Sequence, residues 1–257
     1  MKRTLTINQH QYTLDVIKKF APGIRVEQVP ARPDVTFSKA QSPSNNLEKS
    51  KMSSTPFLEA LGSLLYLETC TRPDIAYGVS ELSKYASNPG KVHWEGLLQI
   101  FGYLAGTAGY GISYGHLQSS EGKLPGYVDA SYGRCVDTRR SRCGGFYLLN
   151  DGPIEWKSKM SQIVVLSSME SEYIGACELV RIGVWLRRCL EELGCPSCGP
   201  TTIGCDNKSA IVFANEAIIQ NRSKHIDTRY HFIRERINDK TFSIYHLTTK
   251  PPSRSVD

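Results

Sequence analysis

The sequence predicts a mixed α/β (α+β) fold over its second half, behind a mostly helical first half. Three observations carry that expectation. From Gly126 onward, alternating stretches and helically spaced stretches follow one another as β-β-β-α-β-α-α-β. The turn signal Asn150-Asp-Gly152 joins two apolar runs into a hairpin. Three acids, Asp129, Glu172 and Asp206, stand where apolar segments end or a helix begins.

The elements follow in order. Gly126 to Tyr132 alternates as a half-buried strand around Asp129. Gly144 to Leu149 and Pro153 to Lys159 read as the two strands of the hairpin. Ser167 with Glu170 three residues on is a capping box, so a helix starts there. It runs through Leu179, Val180, Trp185 and Leu186 and stops near Gly194 and Pro196. A strand from Thr201 to Cys205 delivers Asp206 into a helix that begins at Asn207. A further helix is expected from about Ile226 to Ile237, and a last strand from Thr241 to Leu247. Three antiparallel strands followed by crossover helices make a five-stranded mixed sheet.

An acid at the end of a buried strand is costly unless it is paired or bound to metal. Hard divalent cations want oxygen ligands, and acids from separate segments can share two such ions. Asp129, Glu172 and Asp206 together therefore point to a metal-binding nuclease site, although each alone also reads as a turn or cap residue. On the helix the choice lies between Glu170 and Glu172. Gly175 and Ala176 follow one turn after Glu172 and suit a close approach to the sheet, which favours Glu172. Glu170 is accounted for by the capping box.

The motifs in this half resemble those of the ribonuclease H domain of Ty1/copia-type retrotransposon polyproteins. The matching stretches are Gly126-Tyr-Val-Asp-Ala-Ser-Tyr132, Arg139-Arg-Ser141, Ile154-Glu-Trp-Lys-Ser-Lys159, Val164 to Ile174, Asp206-Asn-Lys-Ser-Ala210 and Ser223 to Glu235. Upstream, Thr71-Arg-Pro-Asp-Ile-Ala-Tyr77, Ser87 to Trp94 and Tyr103-Leu-Ala-Gly-Thr107 resemble the region after the polymerase in the same polyproteins. The resemblance implies a ribonuclease H-like fold and an endonuclease that hydrolyses the RNA strand of an RNA–DNA hybrid. It implies two Mg²⁺ or Mn²⁺ ions on Asp129, Glu172 and Asp206, with Asp129 bridging both. It also implies two partners, the hybrid and the rest of the reverse transcriptase polyprotein. Ser131, Arg134, Asn207 and Ser209 flank two of the acids and are candidates for phosphate or sugar contact; capped or solvated residues are the alternative. Arg139 and Arg140 form the densest basic run, read either as a backbone-phosphate contact or as a solvated loop.

The family places a fourth acid in an Ala-Asp motif just after the last strand. Here Leu247 is followed by Thr-Thr-Lys-Pro-Pro-Ser-Arg-Ser-Val-Asp257, with Pro251 and Pro252 opposing a helix. Asp257 and Asp227 are the alternates for that role, alongside Glu170 for the helix acid. The expectation carries an alternative: a nucleic-acid-binding remnant that keeps the fold without catalysis.

The first half divides into residues 1–31, a reverse transcriptase C-terminal remnant, residues 32–55, rich in Ser, Pro, Asn and Lys and expected as a flexible linker, and residues 56–117, a thumb- or connection-like helical region; the ribonuclease H-like domain is set at 124–250. A strand is expected from Lys2 to Asn8 and a helix from Gln9 to Phe20. Further helices pass through Leu58 to Leu65, Ile75 to Tyr85 and His93 to Ala105. There is no Asp-Asp dipeptide, so no polymerase aspartate pair.

A net charge of +6 over 257 residues permits nucleic-acid binding without demanding it. Trp156-Lys-Ser-Lys159 reads as edge-strand chemistry more than as a stacking platform. Eight cysteines include Cys195-Pro-Ser-Cys198, with Cys189 before and Cys205 after, but no second pair or His completes a zinc set. No signal peptide and no membrane-length apolar run is seen, so an intracellular site is expected: cytoplasmic, in a virus-like particle, or nuclear. No glycine-rich phosphate loop stands out, and no small-molecule cofactor is expected.

Overall fold

The computed structural model describes residues 4–115, 123–215 and 227–247, the side chains of the last segment from Phe232 on. The chain divides into two compact units, the described residues of Arg3–Tyr114 with Val136–Thr138, and those of Gly115–Cys135 with Arg139–Asp257.

In the first unit, β1 (Leu5–Asn8) pairs antiparallel with β2 (Gly111–Tyr114), Leu5 opposite Tyr114. Five helices follow β1: α1 (His10–Phe20), α2 (Asn46–Met52), α3 (Phe57–Cys70), α4 (Ala76–Ser83) and α5 (Lys91–Gly106). The apolar faces of α1, α3, α4 and α5 meet in a core that includes Leu64, Leu67, Val79, Leu97 and Phe101. Arg72, 1% exposed, is the largest fully buried side chain among the described residues. It forks onto Asp74 at 2.8–3.2 Å and reaches the Thr107 carbonyl at 3.0 Å and hydroxyl at 2.7 Å. The rings of Tyr103 and Tyr110 flank its guanidinium. A planar donor fork with this many acceptors keeps a buried cation satisfied.

Residues 32–55, expected as a linker from their composition, carry a short 3₁₀ turn at Lys39–Gln41 and helix α2. Phe37 packs on the core and stands 6.0 Å from the His93 ring. The polar residues behind that expectation act as local caps: Asn45 accepts from the Glu48 amide at 2.9 Å, and Glu48 in turn accepts from the Ser44 amide.

The second unit holds one five-stranded sheet in the order β5-β4-β3-β6-β7. Strands β3 (Gly126–Ser131), β4 (Arg142–Leu149) and β5 (Gly152–Met160) form an antiparallel meander. Asn150 and Asp151 close its hairpin with φ of 49° and 67°, the left-handed pair that a tight turn needs. Strands β6 (Thr201–Cys205) and β7 (Phe242–His246) add in parallel, β6 beside β3. Helix α6 (Ser168–Glu192) crosses the sheet, and α7 (Lys208–Asn215) and α8 (Asp227–Asn238) pack near it. The eight elements follow the expected order.

Two glycines let α6 lie close to the strands. A Cβ on Gly175 would stand 3.1 Å from Val128, and one on Gly183 only 2.7 Å from the Phe242 ring. The Tyr147 hydroxyl crosses the same interface to donate to the Leu179 carbonyl at 2.7 Å. The core beneath α6 is built from Val128, Tyr147, Tyr173, Val180, Ile203 and Phe242.

Candidate active site

The middle of the sheet brings the three acids together. Asp129 is the fourth residue of β3, exposed, while Val128 beside it is buried. This is the alternation a strand imposes. Asp206 follows the last residue of β6, the parallel neighbour of β3, and is also exposed. Glu172 lies on α6 one turn before Gly175 and is 5% exposed. Close approach at Gly175 is what lets its carboxylate reach the sheet.

Glu172 accepts from the Ala130 amide at 2.9 Å and from the Cys205 thiol at 3.9 Å. Burial pushes its carboxyl up to about 7, and the charges of Asp129 and Asp206 push the same way against the Ala130 hydrogen bond. Ligand atoms of Glu172, Cys205 and Asp206 lie within 4.8 Å of one another. Asp129 stands outside that tight group and acts on Glu172 through its charge. Burial raises the Cys205 thiol to about 11, so at neutral pH it is a protonated donor to Glu172. The donor set is therefore of hard oxygens whose mutual repulsion a cation relieves, and these residues fit a divalent ion of the Mg²⁺ or Mn²⁺ kind.

Glu170 is occupied at the start of the helix. Its amide donates to the Ser167 hydroxyl at 3.1 Å, and its carboxylate accepts from the Leu166 amide at 2.8 Å, one residue before the cap. Asn207 spends its side chain on capping α7, accepting from the Ala210 amide at 3.0 Å. Ser209 is exposed in the first turn of α7, and Ser131 is half-buried at the end of β3. Arg134, Arg139 and Arg140 are exposed in the β3–β4 connection. There Arg139 takes φ 54° and its amide bonds the Cys135 carbonyl at 2.7 Å. Asp227 begins α8, its side chain outside the described residues, and Asp257 lies outside them altogether.

Two neighbours were not anticipated as parts of the site. Cys205, in the sequence a strand end and a neighbour of the Cys195-Pro-Ser-Cys198 run, donates to Glu172 here. The His246 ring nitrogen Nε2 lies 3.1 Å from the Asp206 carbonyl. It arrives there because β7 pairs with β6 so that His246 stands opposite Cys205, a register that no local signal announces.

The sheet order and the crossing helix define a ribonuclease H-like fold. A solved foamy viral protease–reverse transcriptase, in complex with dsDNA, aligns with 86% of this chain and 46% of its own at 14% identity and a TM-score of 0.50. An LC11 RNase H1 isolated from compost aligns with 50% of this chain and 86% of its own at 14% identity and a TM-score of 0.35. In sequence, the chain is 37% identical over 248 residues to the retrovirus-related Pol polyprotein from transposon TNT 1-94 of Nicotiana tabacum, covering 96% of this chain. The corresponding polyprotein from transposon RE2 of Arabidopsis thaliana is 33% identical over 247 residues, 95% of this chain. The chain belongs to the Pol polyproteins of copia-type retrotransposons. It spans 18% and 16% of the lengths of those two relatives. No protein-family model matches it.

Proposed function

We propose that the second unit is a metal-dependent endonuclease that hydrolyses the RNA strand of RNA–DNA hybrids, within a longer retrotransposon polyprotein whose other parts are its partners. The observation that carries this reading is the buried Glu172 carboxylate, hydrogen-bonded to the Ala130 amide of β3 beside the exposed acids Asp129 and Asp206. Asp129, Glu172 and Asp206 would hold the cations, two in number. Once bound, such ions lower the pKa of a water and stabilise a leaving oxygen at phosphorus.

The chain's own residues do the rest. The Ala130 amide and the Cys205 thiol aim Glu172, so it meets a cation with little reorganisation. Asp129 and Asp206 face solvent and leave the cluster open on the side where a hybrid arrives. Arg134, Arg139 and Arg140 supply positive charge for the phosphate backbone, and Ser131 and Ser209 supply hydroxyls at the two acid-bearing strand ends. Asn207 is a positioning residue: its cap on α7 fixes the backbone that carries Asp206. The 2′-hydroxyl in the wide minor groove of the hybrid marks the strand to be cut. The helical first unit, in this reading, is a thumb- or connection-like module that grips the duplex.

The test is cleavage of labelled RNA in a hybrid by the purified 257-residue chain, with Mg²⁺, Mn²⁺ or EDTA, beside single-stranded RNA and duplex DNA. Metal-dependent cutting confined to the hybrid is the expected result. A folded chain that binds the hybrid and never cuts it would reduce the reading to nucleic-acid binding.

A further inference from the structure

The flank of α6 over β5 carries a groove whose walls include none of the three acids. Two cavities of about 300 and 380 Å³ adjoin there, with Arg181 and Ile182 in the walls of both. Strand alternation puts Glu155, Lys157 and Lys159 on the same face of β5, and all three line the cavities. Opposite them, helical spacing aligns Glu178, Arg181, Trp185 and Arg188 along α6. Ile174, Leu179 and Met160 give the groove an apolar lining.

Four cations face two acids. Glu178 is taken by Arg181 at 2.9 Å, and Glu155 feels the charge of Lys157. Lys159 and Arg188, both exposed, have no acidic partner among the described residues. The second observation is the indole of Trp185, 58% exposed on the rim. Among the described residues no ring or cation packs on it. A large apolar ring left in water beside two unmatched cations suits a ligand that brings both negative charge and a flat face.

We propose that this groove binds a single strand of nucleic acid, its phosphates on Lys157, Lys159 and Arg188 and a base stacked on Trp185. A basic track with an aromatic platform is what sequence-tolerant single-strand binding requires. A duplex keeps its base faces stacked inside and offers none to the indole, and an acidic peptide would use the cations alone. The inference deepens the nuclease reading by giving the chain a hold on an unpaired flank of its substrate, away from the acids, yet its test needs neither metal nor cleavage.

The test measures anisotropy of a short labelled oligothymidylate with the full chain in EDTA across a salt series. Trp185→Ala is expected to weaken Kd by about 5- to 150-fold, the range for loss of one base stack, and Trp185→Phe to restore most of it. Lys157→Ala/Lys159→Ala is expected to lower the slope of log Kd against log salt by roughly 1.4, about 0.7 for each lost phosphate contact. Oligothymidylate binding in EDTA is read beside hybrid cleavage with metal, so binding without cleavage, or cleavage without groove binding, separates failure of the nuclease from failure of the groove. No binding by the wild type, or equal binding by both groove variants with their folds intact, overturns the proposal.

Discussion

The Glu172 carboxylate accepts a hydrogen bond from the amide of Ala130 at 2.9 Å, which ties α6 to β3 one residue beyond Asp129. A buried acid held there is under two pressures, loss of water and the charges of Asp129 and Asp206, and both favour its neutral form. Its folded pKa, about 7, lies above the unfolded value of 4.5. The stability linked to this group is therefore fully present below pH 4.5 and lost as pH rises through about 7. At 1.36 kcal/mol per unit the swing is about 3 kcal/mol. Glu172→Gln mimics the protonated acid, so in EDTA it is expected to be more stable than the wild type at pH 8 and about equal at pH 4.5. Urea denaturation at the two pH values checks this.

The same linkage predicts how metal affinity follows pH. A cation must displace the proton of Glu172, so Mn²⁺ affinity is expected to fall as pH drops below about 7. Calorimetric titration at pH 6 and pH 8 measures it, together with protons released on binding at the lower pH. An affinity indifferent to pH over that range would remove Glu172 from the ligand set.

In the first unit His93 is a buried acid-sensitive group. Burial holds its pKa below the usual histidine value of 6.5. Its ring is fixed as one neutral tautomer: Nδ1 accepts from the Gly90 amide at 2.9 Å, and Nε2 donates to the Ser38 carbonyl at 3.2 Å. A folded value below the unfolded one means the contribution is present above pH 6.5 and lost as pH falls through the folded value. Unfolding of this unit, followed by hydrogen exchange of α5 amides, is expected to become easier between pH 7 and pH 5, and His93→Gln to flatten that dependence.

Close packing of α6 gives a steric prediction. Gly183→Ala drives a methyl group against Phe242 and the Tyr147 hydroxyl and is expected to cost about 1–3 kcal/mol. Tyr147→Phe alone loses the bond to the Leu179 carbonyl, worth about 1 kcal/mol. Because the two residues touch, the double variant is expected to lose less than the two single losses added. Thermal denaturation of the four proteins closes the cycle.

Arg72 predicts the largest single loss in the first unit. Arg72→Leu strips Asp74 and Thr107 of their donor and is expected to cost about 3 kcal/mol. Arg72→Lys recovers only part, since one ammonium cannot span both partners. Urea midpoints of the three proteins rank the effect.

Much of this was legible in the residues. The hairpin at Asn150, the Ser167 cap and the strand that delivers Asp206 all rest on neighbours within a few positions. Gly175 distinguished Glu172 from Glu170 because a missing side chain one turn on permits close approach. What stayed hidden depends on distant pairing. Strand β2 exists because Leu5 meets Tyr114, and nothing near Gly111 announces it. His246 stands beside Asp206 through the β6–β7 register. Asn207, open in the chain between a phosphate or sugar contact and a cap, serves as a helix cap in the fold, since the same side-chain oxygen suits both uses.

The most direct measurement of the central claim is single-turnover cleavage of an RNA–DNA hybrid by the wild type, Asp129→Asn, Glu172→Gln, Asp206→Asn and Glu170→Gln. The first three substitutions are each expected to lower the rate by about 100-fold or more while hybrid binding persists, and Glu170→Gln is expected to change it little. Full activity in Glu172→Gln, or loss in Glu170→Gln with its fold intact, would contradict that claim.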